Sequence, residues 1–368
     1  MVAELNIKKI KSKIEGIFMK NIKIYNYNKI YDKDLINIII SSLKNGGEYY
    51  ISRSWENGPQ VIVTLNNNIS MQEINDIKNQ ISIKLSEIPV DKEYLIAIKQ
   101  QYLRNQQIIS KLEKKACEEN TLKPHNTIEI IENEFKYFNE GFTNIIHSCR
   151  YTLQPLLNEL YFILENETQL RFNLKNKEMN LSKILPVLCH VISECYKYDD
   201  KNKGFFSYTS HVQGFFELSK KQGVPYSEAL FESIFKQNFE HMKSYRSSND
   251  AFLEKWYIAW ADIMNKLKIE IPKYMDDSYI KNLFETFNAL EQDYDNDFHK
   301  NFVRYAKNKD FVNDIEATAY RFLINIFYLS LPFIKVSALK KQIYIYMAYR
   351  YVEYVYDIDW REVVSGGL

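Results

Sequence analysis

Between residues 20 and 27 the chain reads Lys-Asn-Ile-Lys-Ile-Tyr-Asn-Tyr, an alternation of polar and apolar positions that predicts a strand. Over 33–44 the spacing lengthens. Leu35, Ile36, Ile38, Ile39 and Leu43 recur at helical intervals and predict a helix with those residues inward. Strand character returns in Tyr49–Arg53 and Gln60–Leu65, and Asn57-Gly58-Pro59 between them is a turn signal, so the two read as a hairpin. Ser70 with Glu73 three residues on opens a helix over 70–87 with a capping-box pattern, in which hydroxyl and carboxylate each satisfy a free amide. Strand, helix, two strands, helix is an α+β unit, placed at residues 1–88 and ended before Pro89.

Beyond that point alternation fades. Residues 91–118 are charged and helix-compatible, and 119–127 break the pattern, so 89–130 reads as a helical connection. Thr127-Ile128-Glu129-Ile130 is either a short strand or the entry to the next helix. Helices are expected at 131–168 with an interruption near Pro155, at 181–197 capped by Asn180, and at 225–245 starting near Pro225. Others are expected at 249–268 with Trp256 and Trp260 on one face, and at 276–308, 311–330 and 335–356. The fold class is therefore α+β: a small N-terminal mixed α/β sheet region packed against a larger, mainly helical region, 131–368, with any cleft between them.

Composition supports the helical bias, since ten Gly and eight Pro are few for 368 residues. A formal charge of +1 argues against a surface built as a whole to hold nucleic acid. Cys117, Cys149, Cys189 and Cys195 lack metal-ligand spacing and fit a reduced, cytoplasmic setting. Lys8, Lys9, Lys11 and Lys13 are not followed by the apolar run of a secretory signal, and no stretch reaches the length of a membrane span. The histidines, at 125, 147, 190, 211, 241 and 299, form neither His-x-x-x-His nor His-Glu-x-x-His, and there is no phosphate-binding glycine loop. No metal and no cofactor are expected.

Two stretches carry candidate chemistry. In the hairpin, Arg53 offers a planar fork for a carboxylate or phosphate, with Trp55 and Glu56 beside it; the plainer alternative is a solvated surface arginine. Phe206-Ser207-Tyr208-Thr209-Ser210-His211-Val212-Gln213-Gly214-Phe215 is dense in reactive groups. His211 titrates near neutral pH, Tyr208 and Ser210 are donors for a developing negative oxygen, and Gln213 adds an amide. The plainer reading is a helix start capped by Ser210, with His211 packed or solvated. In the last long stretch Tyr344, Tyr346, Tyr349, Tyr351, Tyr354 and Tyr356, with Met347 and Arg350, either line a peptide groove or simply pack as core-boundary residues.

These residues resemble a family. Tyr50, Arg53, Trp55, Glu56, Gly58 and Pro59 look like the start of the C-terminal domain of lantibiotic dehydratases, which also occurs as a separate protein in lanthipeptide and thiopeptide clusters. The 206–215 stretch is similar to the Ser-Tyr-x-Ser-His-x-x-Gly-Phe region of the stand-alone thiopeptide-type members, and the aromatic C-terminal stretch to the family's last helix. Gln60 stands where the family has His, residues 61–65 hold no Arg, and Lys123-Pro124-His125-Asn126 replaces the acidic Tyr-x-Pro-Glu and Gly-Gly segment. The resemblance implies maturation of a ribosomally synthesised peptide. The reaction is either elimination of glutamate from glutamylated Ser or Thr, or cyclisation of two dehydroamino acids into a nitrogen heterocycle. The alternative is a non-catalytic leader-peptide-binding or scaffold subunit of a split dehydratase. Implied partners are the precursor peptide and a separate glutamylating subunit, with a homo-oligomer open and neither membrane nor nucleic acid expected. Arg53, Tyr208 and His211 are the catalytic candidates, expected to converge on one pocket; Trp55, Gln60, Ser210, Gln213 and Arg350 are the substrate-binding candidates.

Overall fold

A computed structural model describes residues 19–43, 47–113, 122–171, 181–198, 201–223, 226–306 and 313–365. The chain divides into two compact units. The first runs to Phe135 and includes Arg150–Gln154; the second comprises Lys136–Cys149 and everything from Pro155 on.

The first unit is built on a four-stranded antiparallel sheet in the order β2-β3-β1-β4. Its strands are β1 (Lys20–Tyr25), β2 (Tyr49–Ser54), β3 (Gln60–Leu65) and β4 (Thr127–Glu132). Alternation works as expected across the register. Ile22 faces Val63 on one side and Ile130 on the other, Ile24 faces Val61, and Ile51 faces Val63. Asn21, on the opposite phase of β1, is buried as well. It accepts the Thr64 hydroxyl at 2.8 Å from the residue directly across, which satisfies both groups.

Helices α1 (Asp32–Ser42) and α2 (Met71–Ser86) pack on each other and bury Leu35, Ile36 and Ile39 against Ile74, Ile77, Ile81 and Leu85. The Ser70–Glu73 capping box is fully formed. At the hairpin turn Asn57 and Gly58 both take positive φ, 59° and 122°, and the Gly58 amide donates to the Trp55 carbonyl. A Cβ on Gly58 would lie 2.4 Å from the Tyr27 hydroxyl, so glycine is required there twice over.

The boundary expected at residue 88 falls later. α3 (Lys92–Glu113) and the ambiguous 127–130 segment both belong to the first unit, the latter as edge strand β4. Its partner β1 lies over a hundred residues earlier, so local pattern alone did not decide it.

The second unit is helical. Pro155 does not interrupt α4 (Glu140–Arg171), which runs through it. α5 (Leu185–Ser193) is buried on every side and is shorter than the expected 181–197. The Ser182 hydroxyl takes the Ile184 and Leu185 amides at its start, and beyond its end the short strands β5 (Lys197–Tyr198) and β6 (Lys201–Asn202) pair. Around it come α6 (Phe205–Lys221), α7 (Glu228–Arg246), α8 (Ala251–Glu270), α11 (Ile315–Ser330) and α12 (Ala338–Tyr356). α12 packs on α5, α6 and α7, and α8 on α5 and α11. Trp256 and Trp260 are fully buried on α8, as their spacing predicted. The expected 276–308 helix is two, α9 (Asp277–Asp293) and α10 (Asp297–Ala306), with α13 (Trp360–Ser365) near the end of the chain. The break has a cause. Asn296 Oδ1 accepts the His299 amide at 3.0 Å, an N-cap that starts a new helix where the apolar period lapses. Asn180, Pro225 and Cys117 lie outside the described residues.

Candidate functional site

The reactive stretch of the sequence folds into α6 itself. Ser210 is not an N-cap: α6 begins at Phe205, and Thr209 donates its hydroxyl to the Phe205 carbonyl, a helix-interior bond. Tyr208 points inward. It is fully buried, donates to the Cys189 carbonyl at 2.8 Å, and burial pushes its phenol well above the usual range.

His211 points the other way and is exposed to solvent. Its ring meets the Tyr328 ring edge-on, centroids 4.7 Å apart. Lys341, in the first turn of α12, places its ammonium 4.6 Å from the Tyr328 centroid. Burial, then Lys341, then His299 push the His211 imidazole down to about 3. Tyr328 covers the ring on one side while another part of it meets solvent, so water weakens the shift without changing its direction. Lys341 is also pushed down, by burial, and among the described residues no carboxylate pairs with it.

Behind His211 runs a chain of hydrogen bonds. Ser210 Oγ lies 3.2 Å from His299 Nε2, and His299 Nδ1 lies 2.8 Å from Asn296 Oδ1. Asn296 donates its amide nitrogen to Glu217 at 2.8 Å. Glu217 also receives the Asp295 amide and pairs with Lys221. A carboxylate on one side of Asn296 and a backbone N–H on the other fix which end is oxygen. That oxygen only accepts, so His299 carries its proton on Nδ1 and leaves Nε2 to accept from Ser210. Burial holds the His299 imidazole down to about 4, with Glu217 opposing, so the ring is neutral at physiological pH. It stacks on Tyr294 at 4.5 Å, and Tyr294 in turn lies against Gly214 of α6.

The other sequence candidates have partners of their own. In the first unit, Arg53 forks onto Asp32 through two bonds of 2.8 Å. Gln60 is buried and donates to the Glu56 carbonyl, closing the hairpin turn, while Trp55 is partly exposed beside it. In the second unit Arg350 is held by Glu232 at 3.0 Å and by Glu353, which keep it charged against burial. It lines an open cavity of about 410 Å³ with Phe235, Phe239 and Tyr354. Tyr344, Tyr346, Tyr349 and Tyr351 are buried, as the packing reading of that stretch expects. The α6 site thus contains Ser210 and His211 from the sequence reading, with Tyr208 anchored behind them. Gln213, on the same helix, buries its Nε2 with no hydrogen-bond partner among the described residues. Tyr328, Lys341, His299 and Asn296 were missed. Among the described residues no group of three or more His, Cys, Asp or Glu is placed to hold a metal, and no helix is long and apolar enough to cross a membrane.

The fold, a small antiparallel sheet unit with a larger helical unit, has solved counterparts. The pyridine synthase TbtD from thiomuracin biosynthesis matches with a TM-score of 0.57 at 13% identity, over 93% of this chain and 100% of its own. TsrL matches with a TM-score of 0.53 at 12% identity, over 95% of this chain and 98% of its own. No protein family's model and no curated protein matches the chain.

Proposed function

We propose that this chain matures a ribosomally made precursor peptide by closing a six-membered nitrogen ring between two of its dehydroalanines. The fold it shares with a pyridine synthase is one support. The observation that carries the choice of reaction is the make-up of the α6 site: Lys341 over the Tyr328 ring that His211 meets edge-on, and Ser210 tied to a buried His299, with both imidazoles held below their ordinary basicity. A general base works best with a pKa near the working pH. Imidazoles held at about 3 and about 4 are poor groups for pulling off the α-proton that glutamate elimination requires. They suit polarisation of an amide instead. In ring closure Lys341 and Ser210 engage the amide that links one dehydroalanine to the residue before it and favour its reactive tautomer, while His211 and Gln213 orient the peptide. Tyr208 supports α6 from behind. Arg53 joins the reaction only by exchanging Asp32 for a substrate carboxylate. The leader adds as a strand along β4, at the edge of the sheet.

Mass spectrometry after incubation with a leader-bearing peptide containing two dehydroalanines tests this. Ring closure with release of the leader is expected, and Lys341→Met abolishes it while leader binding persists. Loss of glutamate from a glutamylated peptide, without ring closure, overturns the choice of reaction. Tight leader binding with no mass change on either peptide overturns catalysis and leaves a scaffold.

A further inference from the structure

We propose that Ser210 is the catalytic hydroxyl of this site and that His299 and Asn296 form a proton relay behind it. The geometry is that of a serine–histidine–asparagine series: Oγ to Nε2 at 3.2 Å, then Nδ1 to Oδ1 at 2.8 Å, with Glu217 fixing the asparagine. Asn296 does two jobs with one oxygen. As the N-cap of α10 it holds the His299 backbone, and the same atom holds the ring. The imidazole is therefore locked in tautomer and in rotation before any substrate arrives. Ser210 is partly exposed, next to the exposed His211, whereas His299 is buried, so the hydroxyl and not the imidazole meets a peptide bound beside His211.

The series does not make an acyl-enzyme. Ser210 lies inside α6, where the neighbouring backbone amides are committed to helix bonds, and nothing resembling an oxyanion hole surrounds Oγ among the described residues. It is built to move protons. The direction is set by the locked tautomer: Ser210 donates inward to Nε2, which leaves its oxygen lone pairs facing the peptide. On the ring-closing reading, from which this takes only its substrate, the amide N–H proton passes to Oγ as the Oγ proton passes to Nε2. Nε2 then returns its proton through Oγ to the amide oxygen, which Lys341 holds by a hydrogen bond while keeping its own protons. The N–H becomes an O–H, the imidazolium exists only in passing, and Lys341, Ser210 and His299 end as they began. Burial makes His299 a base that gives its proton back readily.

Groups facing His299 set its response to pH. From α6 these are His211 and Glu217, the latter paired with Lys221; from the link they are Tyr294 and Asp295, and on α10 Lys300 pairs with Asp295. α13 brings Trp360 against Phe298 and adds no charge to the ring.

The test uses the full-length chain. Ser210→Ala should lower ring closure by about 100-fold or more with leader binding unchanged, and Ser210→Thr should recover part of it. His299→Gln added to Ser210→Ala should cost nothing further, because a relay without its first member has no function left to lose. Asn296→Asp puts a carboxylate on Nδ1 and should move the acid limb of the pH profile upward. An additive double variant, or a limb that stays in place, overturns the relay. ¹⁵N-histidine NMR reads it without any reaction: an Nδ1–H tautomer is expected, with an Nε2 shift that changes in Ser210→Ala. If the wild type closes no ring but shows this signature, the ring-closing reading fails and the relay stands. An Nε2–H tautomer overturns the relay whatever the chemistry.

Discussion

Replacing Arg53 by alanine separates an arginine that holds the hairpin from one that holds substrate. Both nitrogens of its fork meet both oxygens of Asp32 at 2.8 Å, and the two side chains are only 19% and 12% exposed. Solvent-exposed pairs of this kind contribute about 0.2–1 kcal/mol, whereas breaking a buried one costs about 3–5 kcal/mol. Two parallel charge-assisted bonds in a mostly shielded place put this pair between those limits, and we expect a coupling of about 2 kcal/mol. Asp32 and Arg53 each make further interactions, so neither single variant isolates the pair. A double-mutant cycle does. Urea unfolding of wild type, Arg53→Ala, Asp32→Ala and the double variant gives the coupling directly.

The same proteins, assayed for ring closure below their unfolding transitions, decide function. If the pair is structural, Arg53→Ala loses stability and the folded fraction keeps turning over. A coupling under about 0.5 kcal/mol, with turnover lost at unchanged stability, refutes the structural account. It would mean that the guanidinium leaves Asp32 for the peptide.

Two further outcomes follow from buried groups. Burial holds His190 neutral, with its pKa down at about 4, so between about pH 6.5 and pH 4 the unfolded chain binds the extra proton and stability falls as pH falls. At about 1.4 kcal/mol per unit the full loss is about 3 kcal/mol, and His190→Gln should remove that much of the acid slope in urea titrations near pH 7 and pH 4.5. Gly214→Ala brings a methyl group 3.1 Å from the Tyr294 ring and 3.5 Å from His299. The helix gains up to about 1 kcal/mol from losing a glycine, so stability should hold while displacement of the Tyr294–His299 stack slows ring closure about tenfold or more.

The sheet unit was legible because its rules are local. β1, the β2–β3 hairpin and the Ser70–Glu73 cap each announce themselves within about ten residues, and each formed where its pattern lay. β4 was not, since six residues with glutamates at 129 and 132 become a strand only by pairing with β1. The site divides in the same way. Ser210 and His211 stand in one motif. Their neighbours come from residues about 90 to 130 further on, brought together by packing of α6 on α10 and α12. Two signals were present and went unread. Asn296 followed by His299 has N-cap spacing in a run, Asp293 to Asp297, that lacks the apolar period of a continuing helix. Lys341 is a cation in the first turn of a helix, the end where cations are disfavoured.

That misplaced lysine bears on what the site is for. At the start of α12 the exposed amides already carry positive charge, and Lys341 adds a whole one. Burial raises the penalty, and the Tyr328 ring returns only part of it through its face. A fold seeking stability would put a glutamate at this position, or pair the lysine with one. Two other partly shielded cations of this unit are paired with carboxylates: Arg350 has Glu232 and Glu353, and Arg246 has Glu194. Beside them Lys341, locally unfavourable and without a carboxylate among the described residues, is most economically read as charge held in readiness. His211 sharpens this, because an imidazole kept neutral beside the ammonium neither repels it nor competes for an oncoming oxygen. On the ring-closing proposal, the group such a site would complement is electron-rich and uncharged or partly charged, a peptide carbonyl turning into its hydroxyl tautomer. A full carboxylate would be drawn in as well, but then Ser210, tied inward to His299, would have an oxygen facing an oxygen. An amide offers its carbonyl to Lys341 and its N–H to Ser210, and it matches both.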